Sequence, residues 1–408
     1  MNLNDLQHIQ EKFKQIFHLQ PYVTSRAPGR AEIIGNHTDY NHGFALGAAI
    51  SQSTYTAVSH RNDDQIALYS ANFDQKIHTF PISDIDKKQT NHWTNYVKAV
   101  VCELSRKIPY KKGFNMYIRS DVPSLGGVSS SAALELSIGL SLQKLYKIDL
   151  SMLELAALCQ KAENGPLVNS PCGFLDQAAC ALSKKNRLLF LDFFPKNGLL
   201  ISEYKYVPID LSKHDASFLI VVDKKIKRNL GESGYPARRQ QCEQSLPLLS
   251  NLTGRKIASL RDISIAEFKL YKNKLEKADT KMRMRVEHIT YENQRVLDAV
   301  KALKYGDINL FGKLLTASGK SALELYELDE KTPELTYLLS QASQIEGVIG
   351  ARNMGGGFSA NILVLLKNSH LDSFSAKLST MYMKKYYNKL DFISFQPAQG
   401  ASIIWQSE

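Results

Sequence analysis

Leu6, Ile9, Phe13 and Phe17 recur at the three- and four-residue spacing of a single helical face, so residues 1–20 are expected to form an amphipathic helix. Further along, the period changes. Phe114–Ser120 alternates in the manner of a half-buried strand, and residues 132–146 return to helical spacing. Ser151 precedes Glu154 by the three residues that let side chain and backbone cap each other, which opens a helix over 151–163. Residues 187–194 and 216–223 read as strands bracketing a connection that contains proline and glycine. In the second half, 238–246 and 287–303 read as helices, the first expected to break at Pro247, and 348–352 and 362–366 read as strands. This alternation, without a repeat of about 20–50 residues, predicts an α+β chain and not a solenoid. At 408 residues the chain is longer than one core usually serves, so two lobes are expected, 1–202 and 203–408.

Composition narrows the class. A chain that is 44% hydrophobic and 22% charged is an ordinary globular protein. Its longest apolar runs, such as 217–222 and 362–366, have strand length, so no membrane span is expected. The first residues lack the unbroken apolar core of a signal peptide, and a cytoplasmic location is expected. Five scattered cysteines with no C-x-x-C pair argue against a disulfide framework and against a zinc site. The net charge of +11 is spread along the chain, with knots at 224–228 and 281–285 and no aromatic-interleaved basic repeat. Small anionic substrates account for it better than nucleic acid does. Nothing calls for a partner protein; a monomer is expected, and an oligomer is compatible with the sequence.

Four segments concentrate chemistry. Between a strand and a helix runs Pro123-Ser124-Leu125-Gly126-Gly127-Val128-Ser129-Ser130-Ser131. Paired glycines let backbone amides turn towards an anion, and the helix that follows presents its positive end. An ordinary serine-capped helix after a glycine turn would read the same way. Gly355, Gly356 and Gly357 precede an apolar strand, where a ligand or another backbone can come very close, or where a loop is simply flexible. Arg30–Tyr40 packs Arg30, Glu32, Asn36, His37, Asp39 and Tyr40 into eleven residues, a mixture suited to a polyhydroxylated ligand. Asp176 follows Gly173 in an otherwise apolar stretch, as either a buried functional carboxylate or a helix cap.

In this order the motifs resemble the GHMP kinase superfamily and, within it, the galactokinase family. Residues 26–50 (RAPGRAEIIGNHTDYNHGFALGAAI) look like the galactokinase sugar signature, and 93–98 (WTNYVK) resemble the segment beside that family's adenine pocket. The serine-rich loop resembles the superfamily's phosphate-binding motif, and 350–358 its glycine-rich third motif. Ser233-Gly234-Tyr235 with Arg238, Arg239 and Cys242 also fits the galactokinase pattern. The resemblance implies a two-lobed GHMP kinase fold, with a ribosomal-S5-like β/α lobe followed by a ferredoxin-like lobe. It implies phosphorylation of the anomeric hydroxyl of galactose or a related sugar, with ATP and Mg2+. Asp176 and Arg30 would be the catalytic pair, and Asn36, His37, Asp39, Gly173 and Tyr235 would contact the sugar. Trp93, Gly126, Gly127, Ser129, Ser130, Ser131, Gly355 and Gly356 would contact ATP, and Ser131 and Glu163 would hold Mg2+.

The chain departs from the family pattern at four places. Asn36 stands where the signature usually has Glu, and Glu32 where it usually has Asn. Leu125 replaces the first loop glycine, and the stretch from Glu163 to Cys172 is one residue longer, with Pro166 and Pro171 inside it. Loss of a carboxylate at 36 would lift the repulsion that excludes a sugar acid, so galacturonate 1-kinase is an alternative, with the 224–228 run as counter-charge. Residues 317–321 (ASGKS), followed by Tyr326 and Glu327, also lean towards the galacturonokinase branch. A second alternative is a catalytically weak sugar- and ATP-sensing regulator.

Overall fold

In the computed structural model of the chain, which describes residues 3–90, 92–107, 112–124, 126–226 and 234–407, two sheets divide the strands. The first has eight, organised by two long neighbours, β1 (Val23–Ile34) and β2 (Phe44–His60). Its path also takes in β3 (Gln65–Ser70), β4 (His78–Pro81) and β5 (Phe114–Ser120), while β6 (Arg187–Asp192) branches from β2 and carries β7 (Glu203–Pro208). Pairing is antiparallel except between β3 and β5. Helices α2 (Thr94–Ser105), α3 (Ser130–Leu145), α4 (Met152–Asn164) and α5 (Leu175–Leu182) supply the apolar residues of the core on one face. The amphipathic α1 (Leu3–Phe17) forms as its spacing predicts, and Ile9 and Phe13 are buried against Tyr55, Ala57 and Tyr117.

The second sheet is antiparallel, β8 (Ala216–Asp223), β9 (Val348–Asn353), β10 (Asn361–Lys367) and β11 (Leu390–Phe395), in the order β11-β8-β10-β9. Both faces of β8 are buried, which is why it reads as a continuous apolar run and not an alternation. Helices α6 (Tyr235–Thr253), α7 (Ile265–Ala278), α8 (Thr280–Lys304), α9 (Ile308–Tyr326), α10 (Pro333–Ala342) and α11 (Leu371–Tyr386) complete this half. The last strand, β12 (Ser402–Gln406), returns to pair with β1, so β7 and β12 both lie on the first sheet although they follow residue 202.

Two helices run further than their sequence readings: α8 begins at Thr280 and not at Glu287, and α6 passes its expected break. α6 does not stop at Pro247, because its buried stripe, Tyr235, Arg238, Cys242, Ser245 and Leu249, continues past the proline. The helix ends at Gly254, whose left-handed backbone (φ 70°) accommodates the turn out. Leu125, Lys227, Arg228 and Ser233 lie outside the described residues.

Candidate active site

The site is assembled where the serine-rich loop lies against β1. Gly29 makes this possible: a Cβ there would come within 2.7 Å of the Val128 carbonyl. With the loop so close, Arg30 N donates to Val128 O (2.9 Å) and Arg30 Nη1 to Gly127 O (2.6 Å). The rest of the guanidinium reaches Asp176 in the first turn of α5, with Nε and Nη2 donating to Oδ1 at 2.9 and 2.5 Å. Ser129 Oγ donates to the other oxygen, Oδ2, at 2.5 Å. Burial opposes the charge of Arg30, and Asp176 more than offsets it, so the guanidinium titrates above its ordinary value. Arg30 is buried, whereas the Asp176 side chain keeps 28% exposure, so the carboxylate is both neutralised and reachable.

Arg30 and Asp176 form a wall shared by two clefts. One, of about 250 Å3, is lined by Gly127, Ser129, Ser130, Ser131, Glu163 and Asn361. Gly127 and Ser129 both have positive φ, and α3 begins directly after them, so its unpaired first-turn amides lie at the base of the loop. This cleft shares Tyr96, Ser124, Ser130 and Ser131 with a more apolar one of about 330 Å3 that also includes Phe73, Ile118 and Leu134. Glu163 is almost wholly buried and is pushed up to about 7 by burial, despite bonds from Ser131, Cys172 and Gln177. Neighbouring Glu135 is fully buried, and its Oε1 and Gln177 Oε1 have no hydrogen-bond partner. The hydroxyl and carboxylate oxygens of Ser131 and Glu163 are donors of the type that Mg2+ takes.

On the other side of the Arg30–Asp176 pair, the second cleft is lined by Glu32, His37, Asp39, Gly173, Tyr235 and Gly356. His37 stacks on Tyr326 (4.6 Å between centroids) and lies 2.9 Å from the Tyr40 hydroxyl through Nδ1. Gly173 must be glycine for Asp39 to sit where it does, since a Cβ would fall 1.5 Å from Asp39 Oδ2. The Asp39 carboxyl is pushed up to about 7, by burial first and also by the carboxylates of Glu32 and Asp176.

The resemblance implies that Asn36 contacts the sugar, but its side chain is fully buried and does not line the cleft. Its Nδ2 donates to Glu32 Oε1 (2.9 Å) and Gly355 O (2.8 Å), and its backbone is held by Glu292 and His288 of α8. Glu32 lines the cleft in its place. Fully buried Arg352 donates to Glu32 Oε1 at 2.8 Å and supplies its counter-charge. Gly126, Gly355 and Trp93 line neither of the clefts that share Arg30 and Asp176; Gly355 accepts from Asn36, and Trp93 stacks on Phe73. Tyr96, Ser124, Asn361 and Glu32 are cleft residues that motif reading did not select. Tyr96 lies inside the WTNYVK segment, Ser124 inside the serine-rich loop, and Glu32 inside the polar cluster of residues 30–40, where nothing local singles it out as a ligand contact.

A glycine- and serine-rich loop opening a helix, an Arg–Asp pair joining two clefts and this pairing of sheets are the arrangement of a GHMP kinase. The superfamily's N-terminal domain matches residues 95–184 and its C-terminal domain 299–383, and the galactokinase galactose-binding signature matches 11–60. A galactokinase of Clostridium acetobutylicum is 33% identical over 97% of this chain and 98% of its own, and one of Haemophilus influenzae is 34% identical over 98% and 100%. The crystal structure of Lactococcus lactis galactokinase complexed with galactose superposes with a TM-score of 0.86 at 31% identity, covering 97% of this chain and 99% of that one. Mevalonate kinase, at 17% identity and a TM-score of 0.62, shares the fold. The chain belongs to the galactokinase family.

Proposed function

We propose that this protein transfers the γ-phosphoryl group of ATP to the C1 hydroxyl of galactose, giving galactose 1-phosphate and ADP. The observation that carries this reading is the Arg30–Asp176 pair on the shared wall of two clefts, one walled by the serine loop and the other by sugar-type hydrogen-bonding groups. A hydroxyl entering from one side and a phosphate from the other would meet at that carboxylate, and phosphoryl transfer depends above all on such placement.

Asp176 takes the proton of the C1 hydroxyl as the new O–P bond forms and the bond to the β-phosphate oxygen breaks. One lone pair of Oδ2 is used by Ser129, and a second is available to the sugar. Arg30 holds the carboxylate in place through Nε and Nη2 and steadies charge on the transferring group. The amides of Gly127–Ser131 and the start of α3 hold phosphate oxygens. Ser131 and Glu163 would hold Mg2+, which supplies charge neutralisation on the phosphates; a buried carboxyl raised to about 7 is a group short of positive charge. His37, Asp39 and Tyr235 contact the sugar, and Phe73, Tyr96 and the Trp93 segment frame the adenine. We further propose the lobe division near residue 202, with β7 and β12 as strands of the second half inserted in the first sheet.

The galacturonate reading depended on an uncharged C6 environment. Glu32 restores a carboxylate to the cleft wall, one that accepts from a sugar hydroxyl and repels a sugar acid, and this favours galactose. The sensor reading finds no support in a damaged catalytic pair, because both partners are present and bonded. Among the described residues no helix is long and apolar enough to cross a membrane. A cytoplasmic location and a monomeric state remain our expectation.

The test is ADP release from Mg-ATP with galactose, galacturonate, N-acetylgalactosamine, arabinose and glucose. Galactose is expected to be preferred. A preference for galacturonate would overturn the role given to Glu32, and no turnover with any sugar would turn the reading to a sensor.

A further inference from the structure

Three side chains outside the site described above converge at the rim of the apolar nucleotide cleft. Asp74 lies in the connection from β3 to β4, His78 opens β4, and His92 stands just ahead of α2. Asp74 Oδ2 is 2.6 Å from His78 Nε2 and 3.9 Å from His92 Nε2, and the two imidazole centroids are 4.7 Å apart. Among the described residues this is the only grouping of three His, Cys, Asp or Glu side chains whose ligand atoms all fall within 4.8 Å of one another.

The surroundings orient the ligand atoms. His92 Nδ1 is 2.7 Å from Thr94 Oγ1, and that hydroxyl lies 3.2 Å from Gln89 Oε1. Thr94 N donates to the same Nδ1 at 3.3 Å, and the two contacts fix the ring with Nε2 towards Asp74 and His78. Such an outer hydrogen bond is the usual means of orienting a metal-bound imidazole. Each imidazole retains 26% exposure, so an ion can enter. Two imidazoles and one carboxylate suit late first-row dications better than Mg2+ or Ca2+, and leave a fourth position open.

The position matters because of the next residue on each segment. Phe73 precedes Asp74 and Trp93 follows His92, and their rings stack at 5.5 Å with 2° between planes. Phe73 lines the cleft that frames the adenine, and the His78 ring lies edge-on to Trp93 at 5.7 Å. We propose that Asp74, His78 and His92 bind a dication of the Zn2+ or Ni2+ kind, and that the bound ion pins the Phe73 loop to the Trp93 segment and so tunes nucleotide affinity. The second half of this proposal rests on the nucleotide reading above; the first does not.

The experiment uses the untagged full-length protein and Co2+ as a spectroscopic stand-in. One equivalent is expected to bind with a visible d–d spectrum, to be displaced by Zn2+, and to be lost in H78A/H92A, whose metal-free melting temperature should match the parent's. Retention of that equivalent and spectrum in the double variant would overturn the site. Adenosine, which has no phosphates to chelate metal, then reports the coupling. Its affinity is expected to change by about 5-fold or more with saturating Zn2+ in the parent and not in H78A/H92A, the low end of coupling between two sites. An unchanged affinity with Zn2+ bound would overturn the clamp. Failure of adenosine to bind with or without metal would count against the nucleotide reading and leave the metal site standing.

Discussion

Asp176 divides its oxygens between a cation and a hydroxyl, Oδ1 to Arg30 and Oδ2 to Ser129, and that division defines its chemistry. Asp176→Ala is expected to lower kcat by at least about 10²-fold, the low end for loss of a general base, with KM for galactose little changed. A folded variant with near-parental kcat would remove Asp176 from the reaction. Asp39 invites a different measurement. Its carboxyl is pushed up to about 7, so in the free protein it gains a proton as pH falls through neutrality, whereas sugar hydroxyls donate best to the ionised form. Galactose affinity measured by calorimetry should therefore weaken as pH falls from about 8 to about 6, and Asp39→Asn should bind weakly with a flat profile. A flat profile in the parent would show that Asp39 is already ionised. Glu32 carries the specificity argument. Glu32→Gln should raise galacturonate turnover relative to galactose by about tenfold, equivalent to about 1.4 kcal/mol of discrimination. An unmoved ratio would mean that C6 is read elsewhere.

At the scale of elements, packing sometimes follows from local sequence and sometimes overrides it. The capping box of α4 forms as Ser151 and Glu154 predict, with Ser151 N donating to Glu154 Oε2 and Glu154 N to Ser151 Oγ. Pro247 misled because a proline signals a break only when the apolar stripe ends with it, and here the stripe runs on to Leu249. The contact between α9 and β9 could not be read at all. Gly312 and Gly350 let helix and strand backbones touch: a Cβ on Gly312 would lie 2.2 Å from Ile349 O, and one on Gly350 would lie 2.3 Å from Gly312 O. In the sequence Gly312 carries no signal and Gly350 only opens the glycine-rich segment 350–358, and their meeting gives both a purpose. Gly312→Ala should destabilise the protein by about 1–3 kcal/mol, as overpacking does, seen as a lower urea midpoint. An unchanged midpoint would mean that α9 shifts freely on the sheet.

At the scale of the molecule, the site joins residues far apart in sequence, and this separates what was legible from what was not. The motif residues Arg30, Asp176, Ser131, Glu163 and Tyr235 could be named in advance because each motif has a local signature. The pairing of Glu32 with Arg352, 320 positions away, has none, and it decides which of Glu32 and Asn36 faces the cleft. The same long-range logic holds the end of β1 to α8. Glu292 Oε1 accepts from Gly35 N and Asn36 N at 3.0 and 3.1 Å, while His288 donates through Nε2 to Asn36 O and accepts from Ser321 through Nδ1. Burial pushes His288 down to about 4, so between its ordinary value of 6.5 and about 4 the unfolded chain binds the proton that the folded chain refuses. Stability from this histidine is therefore present above 6.5 and lost as pH falls, on the order of 3 kcal/mol in all. The raised carboxyls of Asp39 and Glu163 act in the opposite direction, so the net pH curve does not isolate the effect. The difference from His288→Gln does, because glutamine can keep both hydrogen bonds and does not titrate. The parent should lose stability relative to His288→Gln as pH falls from about 7 to about 4, in urea unfolding at each pH. Parallel curves would mean that the junction between β1 and α8 opens to let the proton in, and that the two halves are less tightly joined than these bonds imply.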